Sequence, residues 1–146
     1  MMQTTQETPT TLRNLSAEAA LLGSLIVHPE ALDLVTEHIG AGDFSSPRNG
    51  AIYSAVCMAA IEDTTGLSAI VEQLRKDGAL VNISEGYLHE LTKSACSLDD
   101  LRQNVAILID LARKREKVAA AASIMDSVIN GSDESLAFDR LIDAQD

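Results

Sequence analysis

The chain has 146 residues and a formal net charge of −11 at pH 7, with 46% hydrophobic residues, 3% aromatics and no Trp. That length suits one domain with its own core, and the hydrophobic content excludes a disordered chain. The charge opposes autonomous binding to nucleic acid, which takes a basic face, and a core filled by Leu, Ile, Val and Ala favours helices.

Residues 1–11, MMQTTQETPTT, are polar and Thr-rich, read as a disordered tail, and lack the basic start and apolar run of a signal peptide. No apolar stretch approaches the ~20 residues of a membrane span. The first predicted helix lies in NLSAEAALLGSLIV, with Asn14 as N-cap and Glu18 as a negative charge near the helix start. Leu15, Ala19, Leu22 and Ile26 recur at helical spacing, widened by Leu21 and Leu25. Gly23 sits inside this helix, where it costs about 1 kcal/mol relative to Ala, and close approach of another helix explains its presence.

The second predicted helix, in HPEALDLVTEHIGAG, has Pro29 at its first position, Gly40 just past its end, and Leu32, Val35 and Ile39 on its inner face. His28 and His38 have no companions at metal-ligand spacing and read as surface or capping residues. A third helix is capped by Ser46 and opened by Pro47, with Ile52, Val56 and Ala60 facing inward beside Tyr53. Phe44, one of two phenylalanines, precedes the cap and is placed to fold back over the first turn as a hydrophobic staple.

EDTTG breaks the chain before a fourth helix, LSAIVEQLRK, with Leu67, Ile70, Val71 and Leu74 as its apolar positions and Asp77-Gly78 as its stop. The loop ALVNIS leads to a short helix, EGYLHELTK, capped by Ser84. The sixth segment, Leu98 to Asn130, contains neither Gly nor Pro. Ser97 and Asp100 form a capping-box variant at its start, and Gly131 closes it. Leu101, Val105, Leu108, Ala112, Ala119, Ala122 and Ile129 follow a three-and-four spacing and read as a seam. One continuous helix here runs about 48 Å at ~1.5 Å per residue, the alternative being an unsignalled break near Lys114 to Lys117. That exceeds what a domain of this size accommodates, so part of it is expected to project or to pack on another chain. NGSDES turns the chain, and LAFDRLIDAQD reads as a returning helix with Leu136, Leu141 and Ile142, completing an α-hairpin. The expected organisation is therefore all-α: a tail at 1–11, a globular head at 12–96 and a hairpin at 97–146.

The chemistry of enzymes has no sequence counterpart. Walker A, dinucleotide-fingerprint, zinc-protease, Cys-x-x-Cys, EF-hand and Gly-x-Ser-x-Gly patterns are all missing. Cys57 and Cys96 form neither a disulfide framework nor a zinc site, and Cys57 reads as an inert core thiol in a reducing, cytoplasmic setting. No catalytic residue, cofactor or metal is expected. The basic run Arg113, Lys114, Arg115 and Lys117 reads either as a solvated face supporting nearby acids at i,i+4 or as a docking patch for an acidic partner.

The order of these pieces resembles the N-terminal domain of DnaB-type replicative DNA helicases. Glu18, Leu22 and Gly23 match the family's opening helix, and Asp43, Phe44, Pro47 and Ile52 match its Asp-Phe, Pro and Ile. Gly78 with Leu80, and Tyr87, Leu88 and Leu91, match further positions, and the long helix with its basic middle resembles LRQNVAILIDLARKRE. The likeness spans roughly residues 12 to 144. Departures fall in and near the hairpin: Gly86 stands alone before Tyr87, CSLDD replaces the family's opening of the long helix, and Asn104-Val105 replaces a Tyr-Ala pair. The resemblance implies a non-catalytic assembly and docking module of DNA replication and the primosome. It further implies hairpins that pair between subunits of a homo-oligomer, and docking of primase, a helicase loader or full-length helicase. ATP hydrolysis and unwinding would belong to a separate C-terminal motor domain. Strong direct nucleic-acid binding and membrane association are not expected. A stand-alone helical regulator that binds DNA or modulates a helicase is the alternative.

Overall fold

The computed structural model describes residues 12–130; the tail at 1–11 and the returning helix from Gly131 onward lie outside them. Among the described residues there are six α-helices and no strand: α1 (Leu15–Val27), α2 (Leu32–Thr36), α3 (Pro47–Ile61), α4 (Leu67–Lys76), α5 (Glu85–Thr92) and α6 (Leu98–Asn130). Three single 3-10 turns, Pro29–Ala31, Ala41–Asp43 and Ala79–Val81, punctuate them. No single helix among the described residues is long and apolar enough to cross a membrane.

The caps follow the side chains available. Asn14 Oδ1 accepts from the Ala17 amide at 3.0 Å, Ser46 Oγ from Asn49 at 3.3 Å, Ser84 Oγ from Tyr87 at 3.0 Å and Ser97 Oγ from Asp100 at 3.2 Å. Each satisfies an amide that the first helical turn leaves orphaned.

The second predicted helix is shorter than its sequence pattern. It opens as a 3-10 turn at Pro29 and is α-helical only over Leu32–Thr36. Val35 O accepts from both His38 N and Ile39 N at 3.0 Å, which closes the helix and still delivers Ile39 to the core. Gly40 therefore caps nothing behind it; its amide donates to Asp43 Oδ2 at 2.9 Å and starts the next turn.

The chain divides into two compact units. The larger, Asn14–Ile109, is the globule. In it α1 packs against α5 and α3, and α3 packs against α4. Leu21, Leu22, Leu25, Val35, Ile52, Leu74, Leu88 and Leu91 fill its centre. Leu101, Val105 and Leu108 of α6 belong to the same core, so this unit includes the first three turns of α6. The described part of the other unit comprises Leu12–Arg13 and Asp110–Asn130.

Two inward positions differ from the periodic reading. Leu15 is exposed, because the first turn of α1 buries Ala17 and Glu18 instead, and in α3 Ala59 is buried while Ala60 faces out. Phe44 is buried and packs on Tyr53 with ring centroids 5.2 Å apart and the planes tilted by 40°. It lies beside Gly50 in the first turn of α3 and reaches on to Tyr53. Tyr53 Oη donates to the Ile39 carbonyl at 2.8 Å, and burial pushes both its phenol and the neighbouring Cys57 thiol up.

Two contacts fix how the helices meet. At Gly23, an added Cβ would lie 1.9 Å from the Leu91 carbonyl oxygen, so α1 and α5 touch through backbone. The close approach expected at this glycine is present. Gly23→Ala is expected to lower stability by about 3 kcal/mol, read as a fall in the urea midpoint at unchanged m-value.

The second contact is polar. Glu18, the negative charge near the start of α1, is 1% exposed. Its Oε2 accepts from the Ser45 amide at 2.8 Å and the Ser45 hydroxyl at 2.6 Å, and its Oε1 accepts from Asn49 Nδ2 at 2.8 Å. Asn49 Oδ1 in turn accepts from Tyr87 Oη at 2.6 Å, and the Arg48 guanidinium lies 3.6 Å from the Tyr87 ring centre. No buried side-chain polar atom among the described residues lacks a partner. Glu18→Ala strips partners from three donors and is expected to cost about 3 kcal/mol. Glu18→Gln turns an NH2 donor toward groups that are themselves donors and should recover less than half of that. Retention of wild-type thermal stability in either variant would show that the network is dispensable.

Candidate protein-docking surface

α6 is one helix from Leu98 to Asn130, as its lack of breakers predicts. Within the smaller unit its buried positions are Ala112, Ala120 and Ser127. Ser127 Oγ is satisfied by the Ser123 carbonyl at 3.0 Å, and Arg115 Nη1 donates to the Leu12 carbonyl at 2.8 Å.

The opposite pattern is the notable one. Val118, Met125, Val128 and Ile129 are exposed large hydrophobics, and Ile129 reaches 76% exposure. Ala122 is exposed between them. Val118, Ala122, Met125 and Ile129 recur at steps of four, three and four, which places them on one helical face.

The seven expected seam residues are thus divided. Leu101, Val105 and Leu108 are committed to the globule's core, and Ala112 is buried in the smaller unit. Ala119, Ala122 and Ile129 are exposed. A single three-and-four pattern read along 33 residues merged two faces, because the 3.6-residue repeat drifts against a fixed spacing. Val118 and Met125 lie outside the expected set but share the exposed face with Ala122 and Ile129.

The basic run is also divided. Lys114 Nζ pairs with Asp110 at 3.0 Å across one turn, the i,i+4 support expected of a solvated face, and Arg115 reaches Leu12. Arg113 and Lys117 are exposed.

The residues that carry the family likeness are structural. Glu18, Phe44, Tyr87 and Gly23 have the roles given above. Leu22, Ile52 and Leu88 are fully buried, Pro47 opens α3, and Asp43 closes the turn before it. Gly78 takes φ +74°, a left-handed conformation suited to glycine, at the end of α4. Leu80 is partly buried against the core. His28 and His38 are exposed, His28 lying 3.6 Å from Glu30, and no three potential metal ligands cluster among the described residues.

Comparison with known proteins agrees with this architecture. The N-terminal domain of DnaB helicase from Mycobacterium tuberculosis superposes with a TM-score of 0.80 at 22% identity, covering 90% of this chain and 96% of that one. The N-terminal domain of DnaB helicase from Helicobacter pylori, a structure described together with its interactions with primase, superposes with a TM-score of 0.70 at 19% identity. That match covers 82% of this chain and 93% of the other. No significant match was found among curated proteins. Residues 10–110 match the family described as DnaB-like helicase N terminal domain. With the all-helical fold, the buried signature residues and that match in agreement, the chain belongs to the DnaB-like helicase N-terminal domain family.

Proposed function

We propose that this chain is a non-catalytic assembly and docking module of a replicative helicase, and that its assembly uses the exposed face of α6. The observation that carries the reading is the row Val118, Ala122, Met125 and Ile129, apolar and in water. Leaving about three turns of such a row uncovered forgoes about 1.5–3 kcal/mol for each large side chain that could be buried. A coiled-coil-like match to the same row on a second copy recovers that energy without new chemistry. In this reading Leu101, Val105 and Leu108 serve the fold of each copy, and the later turns serve the contact between copies.

Primase is the proposed docking partner, supported by membership of the family and by the Helicobacter pylori relative studied with primase. A helicase loader or a full-length helicase would present comparable docking needs. The matched family is the helicase's N-terminal domain, and the reading assigns no catalytic step to it. Strong direct nucleic-acid binding is disfavoured by the net charge of −11.

Light scattering coupled to size exclusion tests the assembly. A dimer or larger species is expected for the unaltered chain. Met125→Asp with Ile129→Asp should yield a monomer whose helical circular dichroism is unchanged, since both positions are exposed. A wild-type chain that stays monomeric at roughly 100 μM, well above the weak end of specific association, would remove the proposal.

A further inference from the structure

Two hollows, each large enough for a leucine or phenylalanine side chain, run along one side of the globule between the α2 region and the first turns of α6. The first, about 340 Å³, is lined by Ala31 and Leu34 on one side and by Cys96, Leu98 and Leu101 on the other. The second, about 330 Å³, is lined by Leu34, Val35, Val105 and Ile109, and again by Leu101. Leu34 and Leu101 are common to both, so the hollows form one groove with Leu34 as a ridge. Leu34 is 42% and Leu98 47% exposed, beside this concave apolar floor.

The groove's surroundings carry more acid than base. His28 and Glu30 border the first hollow, and Glu37, His38 and Arg102 border the second. Along the two flanking stretches, 28–38 and 97–109, the exposed charges are Glu30, Asp33, Glu37, Asp99 and Asp100 against Arg102 alone. An apolar floor with two side-chain-sized hollows and a net negative rim complements one kind of ligand closely: a cationic amphipathic helix.

We infer that this groove docks a basic amphipathic helix of a partner protein, its apolar anchors one or two turns apart filling the hollows and its Lys or Arg residues meeting the rim. The inference extends the docking part of the proposed function to a surface distinct from the α6 face, and it rests on the groove's own residues. Anchors at i and i+4 or i+7 straddle Leu34. The flanking cations face Glu30 and Glu37, and a helix with acidic flanks is repelled.

Fluorescence anisotropy on the full chain tests it, with a synthetic labelled helical peptide that carries Leu at i, i+4 and i+7 and Lys on both flanks. Saturable binding that weakens with salt is expected. Leu34→Asp, and Glu30→Lys with Glu37→Lys, should each weaken it by roughly five-fold or more. Glu90→Lys on α5, which changes the net charge by the same kind of step away from the groove, should stay within about two-fold. A peptide with Glu flanks and the same apolar face should not bind. Equal loss in Glu90→Lys, equal binding of the Glu-flanked peptide, or no binding of the Lys peptide would each overturn the inference. So would self-association abolished by Leu34→Asp and unaffected by the peptide, which would make the occupant a second copy. The Met125→Asp and Ile129→Asp variant separates the two readings, because it should lose assembly and keep peptide binding.

Discussion

A carboxylate enclosed by apolar helices is tolerable only if hydrogen bonds replace the water it has lost, and the Glu18 side chain meets that demand with three donors. Its partners come from the loop before α3 and from α3 itself, and Asn49 passes the connection on to Tyr87 on α5. Three elements far apart in sequence are thereby tied to one point. Hydrophobic burial alone would accept several rotations of α1 against α3; a carboxylate with specific partners accepts one. The register of the globule, the burial of Leu21, Leu22 and Leu25 behind it, and the contact of Gly23 with α5 all depend on that choice.

Much of this architecture was legible because it rests on local chemistry. Asn14, Ser46, Ser84 and Ser97 are caps whose function needs only the adjacent turn, and each behaves as its residue type requires. The unbroken α6 follows from 33 residues without a breaker. The less legible features depend on tertiary context. Glu18 at the start of a helix satisfies the helix dipole equally well in water or in the core, and only its position on the Leu21, Leu22 and Leu25 face betrayed burial. The second predicted helix kept its apolar spacing while its backbone turned out of the helix after Thr36, because Ile39 reaches the core either way. In α6 the spacing rule found apolar positions correctly and assigned them to a single face, when the helix in fact serves the core with one row and leaves another in solvent.

The candidate surfaces follow the same logic at larger scale. The family signature turned out to describe the framework: caps, a clamp, a close contact and a buried network. Residues available for partners lie between or beside those positions. Departures from the family pattern gather near the start of α6, where Cys96, Ser97 and Leu98 border the groove.

The contact at Gly23 has an implication for how this domain can change over time. Its neighbour is the main-chain oxygen of residue 91, an atom that every amino acid possesses. No second-site substitution at that position can therefore relieve a side chain introduced at 23. Suppressors of such a lesion would have to move the whole of α5, which also carries Tyr87. Drift at this glycine is thus closed off by geometry shared by all twenty residues, while side-chain contacts elsewhere in the globule remain open to paired exchange.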